Sequence, residues 1–219
     1  MTDAVYGILP VKALGFAKRR LRDHLSLQER KRLMVELYVT GLRALQEAVP
    51  ARQVIVVSHD LRVLALAQER GAQPLAQLGY GLNGAVEEGR AWALAAGAEA
   101  ILVVLADLPL VAGEALRQLL ALSRGGREVI LAPGQRGGAH ALFCRPASLL
   151  KFVFGRDSRR RFMAQAAQVE ARLTLFDSPA LSLDIDTADD WRRAAVACPD
   201  LAERVLHGRD TDLCRPRLA

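Results

Sequence analysis

The sequence contains no apolar run long enough to cross a bilayer, for which about 20 residues are needed, so a membrane-spanning helix is not expected. Residues 1–9 lack the basic start and long apolar middle of a secretory signal, which leaves the cytoplasm as the expected compartment. Cysteine is scarce: Cys144, Cys198 and Cys214 lie far apart, lack metal-ligand spacing and cannot all pair within the chain, which argues against a disulfide framework or a zinc site. Aromatic residues make up 5% of the chain. The net charge of +6 suits an anionic partner, but arginines spread along helices with few aromatics among them make no stacking platform for nucleic acid. Phosphorylated small molecules fit that charge better. There is no internal repeat, no low-complexity segment and no Walker motif, whose glycine spacing and Lys-Ser/Thr pair are both missing.

What is present is an α/β pattern. With 219 residues, 51% of them hydrophobic, the chain can bury one sizeable core, so a single domain over residues 1–207 with a tail over residues 208–219 is expected. Apolar strands alternate with amphipathic helices: AVYGILPV (residues 4–11), QVIVVS (residues 53–58) and AILVVLAD (residues 100–107) read as strands, the last buried on both faces. Ser26 and Glu29 have capping-box spacing for a long helix, and Gly71 closes the helix that follows the second strand. GLNGAVEEGRAWALAAG gives another helix. Beyond a helix from Gly113 come short strands VILAP, ALFCRP and RLTLFDS, a basic helix near Ser158, and a last helix opened by Thr187. Short irregular strands of this kind predict a mixed sheet, mostly parallel, with antiparallel pairs at an edge.

In open α/β sheets ligands bind beyond the carboxyl ends of the strands, so polar residues there carry most weight. LPVKALGFAKRRL places Lys12, Lys18, Arg19 and Arg20 in the loop after the first strand, where cations and backbone amides can hold phosphates. A solvated basic stretch is the plainer alternative. LADLPL sets Asp107 at the end of the buried strand as a metal ligand or a helix cap, with Pro109 forcing the chain to turn. LSLDIDTADDW (residues 181–191) puts Asp184 and Asp186 at alternate positions of what reads as a short strand, hence on one side. Three carboxylates in one cleft repel strongly unless a cation such as Mg²⁺ lies among them. Asp189 and Asp190 follow Thr187 in the first helical turn, where they favour the helix dipole, and are left out of the site. In YGLNGAVEEG, Gly79 and Gly81 would let the backbone approach a planar base, and Asn83 reads either as a helix N-cap or as a base or ribose contact.

In order and spacing these motifs resemble the nucleotidyltransferases with a Rossmann-like (GT-A-like) domain and three α/β/α layers. Within them they are most similar to the 2-phospho-L-lactate and phosphoenolpyruvate guanylyltransferases of coenzyme F-420 biosynthesis. The resemblance runs from Ile8 to about Trp191 through PVKALGFAKRRL, LSLQER, VVSHD, GLNGAV, ADLPL, VILAPGQRGGAHAL, FGRDS and LDIDTADDW. It implies that Asp107, Asp184 and Asp186 hold two Mg²⁺ ions, with Lys12, Lys18 and Asp107 the catalytic set. Pro10, Lys12, Lys18, Ser58, Gly81 and Asn83 would bind GTP, and Ala139, His140, Gly155 and Ser158 a small phosphorylated acid. Where the family reads Gly-Thr-Asn-Ala-Leu, this chain has Gly138, Ala139, His140, Ala141 and Leu142, which removes a hydroxyl from the acceptor side and offers an imidazole. 2-Phospholactate, phosphoenolpyruvate and 3-phosphoglycerate all remain open as acceptors. Oligomeric state is open, a homodimer being one form, and an unstable product would be handed to the next enzyme of its pathway.

Three rivals differ in specific residues. A molybdopterin guanylyltransferase-like enzyme would carry a glycine-rich first loop in place of PVKALGFAK. A catalytically silent nucleotide-binding protein is favoured by the missing threonine and opposed by the three aspartates. A basic RNA-binding module has only net charge behind it, and would show binding that weakens steeply with salt.

Overall fold

The computed structural model describes residues 4–14 and 18–208; the expected tail after Gly208, and residues 15–17 of the first basic loop, lie outside the described residues. Seven strands, β1 (Val5–Pro10), β2 (Val54–Ser58), β3 (Gln73–Ala76), β4 (Ala100–Val104), β5 (Glu128–Pro133), β6 (Ala139–Arg145) and β7 (Arg172–Leu175), form one sheet in the order β3-β2-β1-β4-β6-β5-β7. Pairing is parallel from β3 through β4 and again between β5 and β7; β6 runs antiparallel to both of its neighbours. The mixed sheet is as expected, but the antiparallel strand lies inside it and not at an edge. An apolar run such as ALFC records burial, not direction, so the two placements look alike in sequence.

The helices are α1 (Leu27–Ala48), α2 (Leu61–Glu69), α3 (Gly81–Ala95), α4 (Gly113–Ala121), α5 (Ser158–Gln168), the single turn α6 (Pro179–Ser182), α7 (Ala188–Ala197) and α8 (Pro199–His207). Successive residues of the central strands feed opposite layers, because strand side chains alternate. Leu9, Val56 and Leu102 pack with Tyr38 and Leu45 of α1 and Leu116 of α4. Ile8, Val57 and Ile101 pack with Val86 of α3 and Phe162 of α5. Gly89 lets α3 lie tight on the sheet, since a Cβ there would come within 2.8 Å of Ile8 Cγ2. A third cluster, in which Leu33 and Leu37 of α1 meet Ile185, Trp191 and Leu201, fixes α7 and α8 beside α1.

Four readings need correction. The segment expected as a short strand with Asp184 and Asp186 begins as the turn α6 and continues as irregular extended chain; its alternation survives, with Leu183 and Ile185 buried between partly exposed carboxylates. Asn83 is not an N-cap: α3 starts at Gly81 behind Tyr80. The edge strand β3 had no sequence signal because it contains Pro74, which is tolerated at edges. The helix from Thr187 is not the last, for Pro199 at the first turn of α8 restarts a helix after Cys198. The expected cap of Ser26 with Glu29 forms on α1, and Thr187, expected to open a helix, caps α7 in a box with Asp190 that was not foreseen. No described helix is long and apolar enough to cross a membrane.

Candidate active site

The chain leaves β1 toward β2 and β3 on one side, while β4 lies on the other, so a crevice opens beyond the carboxyl ends of β1 and β4. A cleft of about 380 Å³ occupies it. Pro10 ends β1 and Lys12 follows it, Ala106 and Asp107 follow β4, Leu82 comes from the first turn of α3, and Lys18, Arg19, Arg20 and Asp186 add to the wall. Most of the residues expected to meet nucleotide or metal are thus brought together.

Asp107 reaches the cleft because β4 is wholly buried and the chain turns immediately after it, anchored by the buried Leu108. The Ile185 amide donates to the Asp107 carbonyl (3.1 Å), which draws the Asp184–Asp186 stretch alongside. Oxygens of Asp107, Asp184 and Asp186 lie within 4.8 Å of one another. Lys18 answers part of that charge: its Nζ is 3.4 Å from Asp107 Oδ2 and 3.2 Å from Asp186 Oδ1, and its side chain is 8% exposed. The Lys18 backbone is left-handed (φ 48°), a conformation that costs a residue with a Cβ about 1–2 kcal/mol and is often held at functional sites. Asp107 Oδ1 is buried and has no hydrogen-bond partner among the described residues. An oxygen-only donor set with an orphaned carboxylate oxygen fits a hard divalent cation.

Burial pushes the Asp184 carboxyl above its ordinary range, Asp107 and Asp186 add to that, and His140 and Arg136 oppose it. Arg136, in the turn between β5 and β6, donates from Nη2 to Asp184 Oδ2 (2.6 Å) and from Nη1 to both oxygens of Asp190 (2.9 and 2.7 Å). For Asp190, burial works against the charge, but hydrogen bonds from Arg136 and Thr187 outweigh it and hold the carboxyl below the usual range. Sequence reasoning passed over Arg136. The only trace was its place in the turn GQRGGAH, where a basic side chain ordinarily faces water.

The remaining expected residues are spread more widely. Ser58 is buried at the end of β2, and its hydroxyl accepts from the Asp60 amide (3.0 Å). Gly81 opens α3 with φ 81°, while the Asn83 side chain is taken up by Phe154, accepting from its amide (2.7 Å) and donating to its carbonyl (3.1 Å). Ala139 and Ser158 are buried together, the Ala139 amide donating to Ser158 Oγ (2.9 Å); Gly155, with φ 120°, lies on the loop that leads into Ser158 and α5. His140 is buried. Its Nδ1 donates to the Leu181 carbonyl (2.7 Å) and its Nε2 lies 3.6 Å from Asp184 Oδ1. A separate cavity of about 460 Å³, walled by Gly137, Asp157, Arg159 and Arg160, opens beside the start of α5.

A largely parallel sheet with a basic cleft and a carboxylate cluster at its switch point defines a nucleotidyltransferase, and solved structures agree on the fold. A nucleotidyl transferase from Methanothermobacter superposes with a TM-score of 0.62 at 16% identity, covering 92% of this chain and 99% of that one. Rv0371c from Mycobacterium tuberculosis H37Rv, solved in complex with manganese, gives 0.54 at 19% identity, over 88% and 98%. More narrowly, the chain belongs to the family described as guanylyl transferase CofC like, whose profile matches residues 5–214. A phosphoenolpyruvate guanylyltransferase of Chloroflexus aggregans is 37% identical over 196 residues, 86% of this chain and 96% of that protein. A 3-phospho-D-glycerate guanylyltransferase of Colwellia psychrerythraea is 29% identical (86% and 90% covered), and a 2-phospho-L-lactate guanylyltransferase of Methanocaldococcus jannaschii 28% (93% and 84%).

Proposed function

We propose that this protein transfers GMP from GTP to a small phosphorylated carboxylic acid with release of pyrophosphate, as a step in coenzyme F-420 biosynthesis. The observation that carries the reading is the meeting of Asp107, Asp184 and Asp186 with Lys18 on the wall of a basic cleft, in a chain of the guanylyl transferase family. Phosphoenolpyruvate is the favoured acceptor, because three phosphoenolpyruvate guanylyltransferases reach 37% identity while the 2-phospho-L-lactate and 3-phospho-D-glycerate enzymes stand at 28% and 29%. Asp107, Asp184 and Asp186 would hold Mg²⁺, two ions in our reading, and the metal supplies charge neutralisation for the triphosphate.

Lys12 and Lys18 then grip the GTP phosphates, and Pro10 meets the nucleoside, with Ser58 at the end of β2 and Gly81 at the start of α3 as its further contacts. Asn83 contributes there indirectly, by fixing Phe154. Gly155 and Ser158, with Gly137, Arg159 and Arg160 nearby, form the acceptor wall. An anionic phosphate oxygen of the acceptor attacks the α-phosphorus of GTP, the bond from that phosphorus to the bridging oxygen of the leaving diphosphate breaks, and pyrophosphate departs. No general base is required, since the nucleophile carries no proton to remove. The residues contribute alignment and positive charge. We further infer that the enzyme works in the cytoplasm and passes its reactive product to the next enzyme.

Pyrophosphate release should be followed with Mg²⁺, each of the four nucleoside triphosphates and each of the three acids. Turnover with GTP and phosphoenolpyruvate above all other pairs is expected. Turnover with CTP alone would move the chain to another branch of the fold, and none with any pair would remove the enzymatic reading.

A further inference from the structure

We propose that Arg136 is a positioning residue of the carboxylate site, holding two of its metal-binding aspartates in register through a single guanidinium. The inference rests on the reading of Asp107, Asp184 and Asp186 as ligands of a divalent cation. Its geometry is independent of any assignment of substrate.

Asp184 and Asp186 lie in irregular chain after α6, with no ladder of backbone hydrogen bonds to fix them. Two devices replace the ladder. Asp190 Oδ2 accepts from the Asp186 amide (3.1 Å), the Thr187 amide (2.8 Å) and the Thr187 hydroxyl (2.9 Å), which sets the backbone carrying Asp186. Arg136 grips the same Asp190 with Nη1 and reaches Asp184 Oδ2 with Nη2, which sets the side chain of Asp184. A planar fork can serve two carboxylates at once, whereas an ammonium acts as a point charge. On the other flank, His140 ties the segment to β6 through the Leu181 carbonyl, three residues before Asp184. The imidazole fits only because residue 134 is glycine: a Cβ there would lie 2.2 Å from His140 Nε2. Of the Ala139-His140 departure, His140 thus sits on the metal-ligand side of the fold, while Ala139 meets Ser158 on the other, and β5, β6 and their turn hold the segment that carries two of the three aspartates.

Groups that orient metal ligands change metal affinity by about 10–100-fold when removed. The competing account is that Arg136, as a cation beside Asp184, opposes metal binding, and it predicts the opposite sign. Binding of Mn²⁺ alone to the full chain, followed by electron paramagnetic resonance, separates the two. Arg136→Met is expected to bind Mn²⁺ about ten-fold or more weakly and to broaden the bound-ion spectrum, while its melting without metal shows whether the fold is intact. Arg136→Lys keeps the charge and loses the bridge; it is expected to bind several-fold more weakly than the parent. Parent-like or tighter binding by either variant overturns the proposal. Failure of the unaltered protein to bind Mn²⁺ would overturn the metal reading, and the inference with it.

Discussion

Asp107 is the one carboxylate of the three delivered by the sheet itself, so its removal tests the site without disturbing a loop. Asp107→Asn keeps the volume and removes the charge; GMP transfer is expected to fall by about 100-fold or more, with thermal melting near that of the parent. Retained turnover would place the chemistry elsewhere. Glu128 makes the opposite case, a fully buried carboxylate outside the cleft. Burial opposes its charge, but Ser123, the amides of Arg124 and Gly125, and Arg172 together hold its carboxyl below the usual range. A depressed folded-state value stabilises the fold above the unfolded value, about 4.3 for glutamate, and that contribution is lost as pH falls through the folded value. Urea denaturation should therefore find Glu128→Gln less stable than the parent at pH 7, with the gap narrowing below about pH 4. A gap that is independent of pH would contradict the assignment. The aspartates could be read from sequence because each stands where an apolar or alternating run meets polar chain. Arg136 could not, since nothing local separates an arginine that bridges two carboxylates from one in water. Asn83 was legible as important but not in its task, because its partner Phe154 is 71 residues away.

At the scale of elements, the central strands were legible because full burial and strand length coincide in β2 and β4. The elements missed are those whose local signals conflict with their context: a strand with an internal proline, a helix restarted by proline, and an alternating segment that joins no sheet. Alternation reports only that one side is buried, and here Leu183 and Ile185 are buried against α1 and α7 in a segment that belongs to no strand. The placement of α3 matters for the site, because its first turn supplies Leu82 to the cleft wall. Gly89→Val would press two methyl groups against Ile8, and a destabilisation of about 1–3 kcal/mol is expected from overpacking. The gain of about 0.5 kcal/mol from replacing glycine in a helix does not offset it. Equal urea midpoints for variant and parent would show that α3 can shift freely on the sheet.

For the whole molecule, the arrangement brings together residues far apart in the chain: Lys18 from the first loop, Asp107 from the middle and Asp184 and Asp186 from near the end. None of these segments makes a site alone, and the strand order is what makes one cleft of them. The acceptor side was less legible, because the Ala139-His140 pair draws attention to a hydroxyl that is missing while the imidazole lies against Asp184. Nucleotidyl transfer moves the α-phosphorus to the acceptor and releases the outer two phosphorus atoms together. Parallel reactions with GTP labelled at the α- or the γ-phosphorus, each with phosphoenolpyruvate and Mg²⁺, test it most directly. The account predicts α-label in the acceptor product and γ-label only in pyrophosphate; γ-label in the acceptor product, or α-label remaining wholly in free guanine nucleotides, would contradict it.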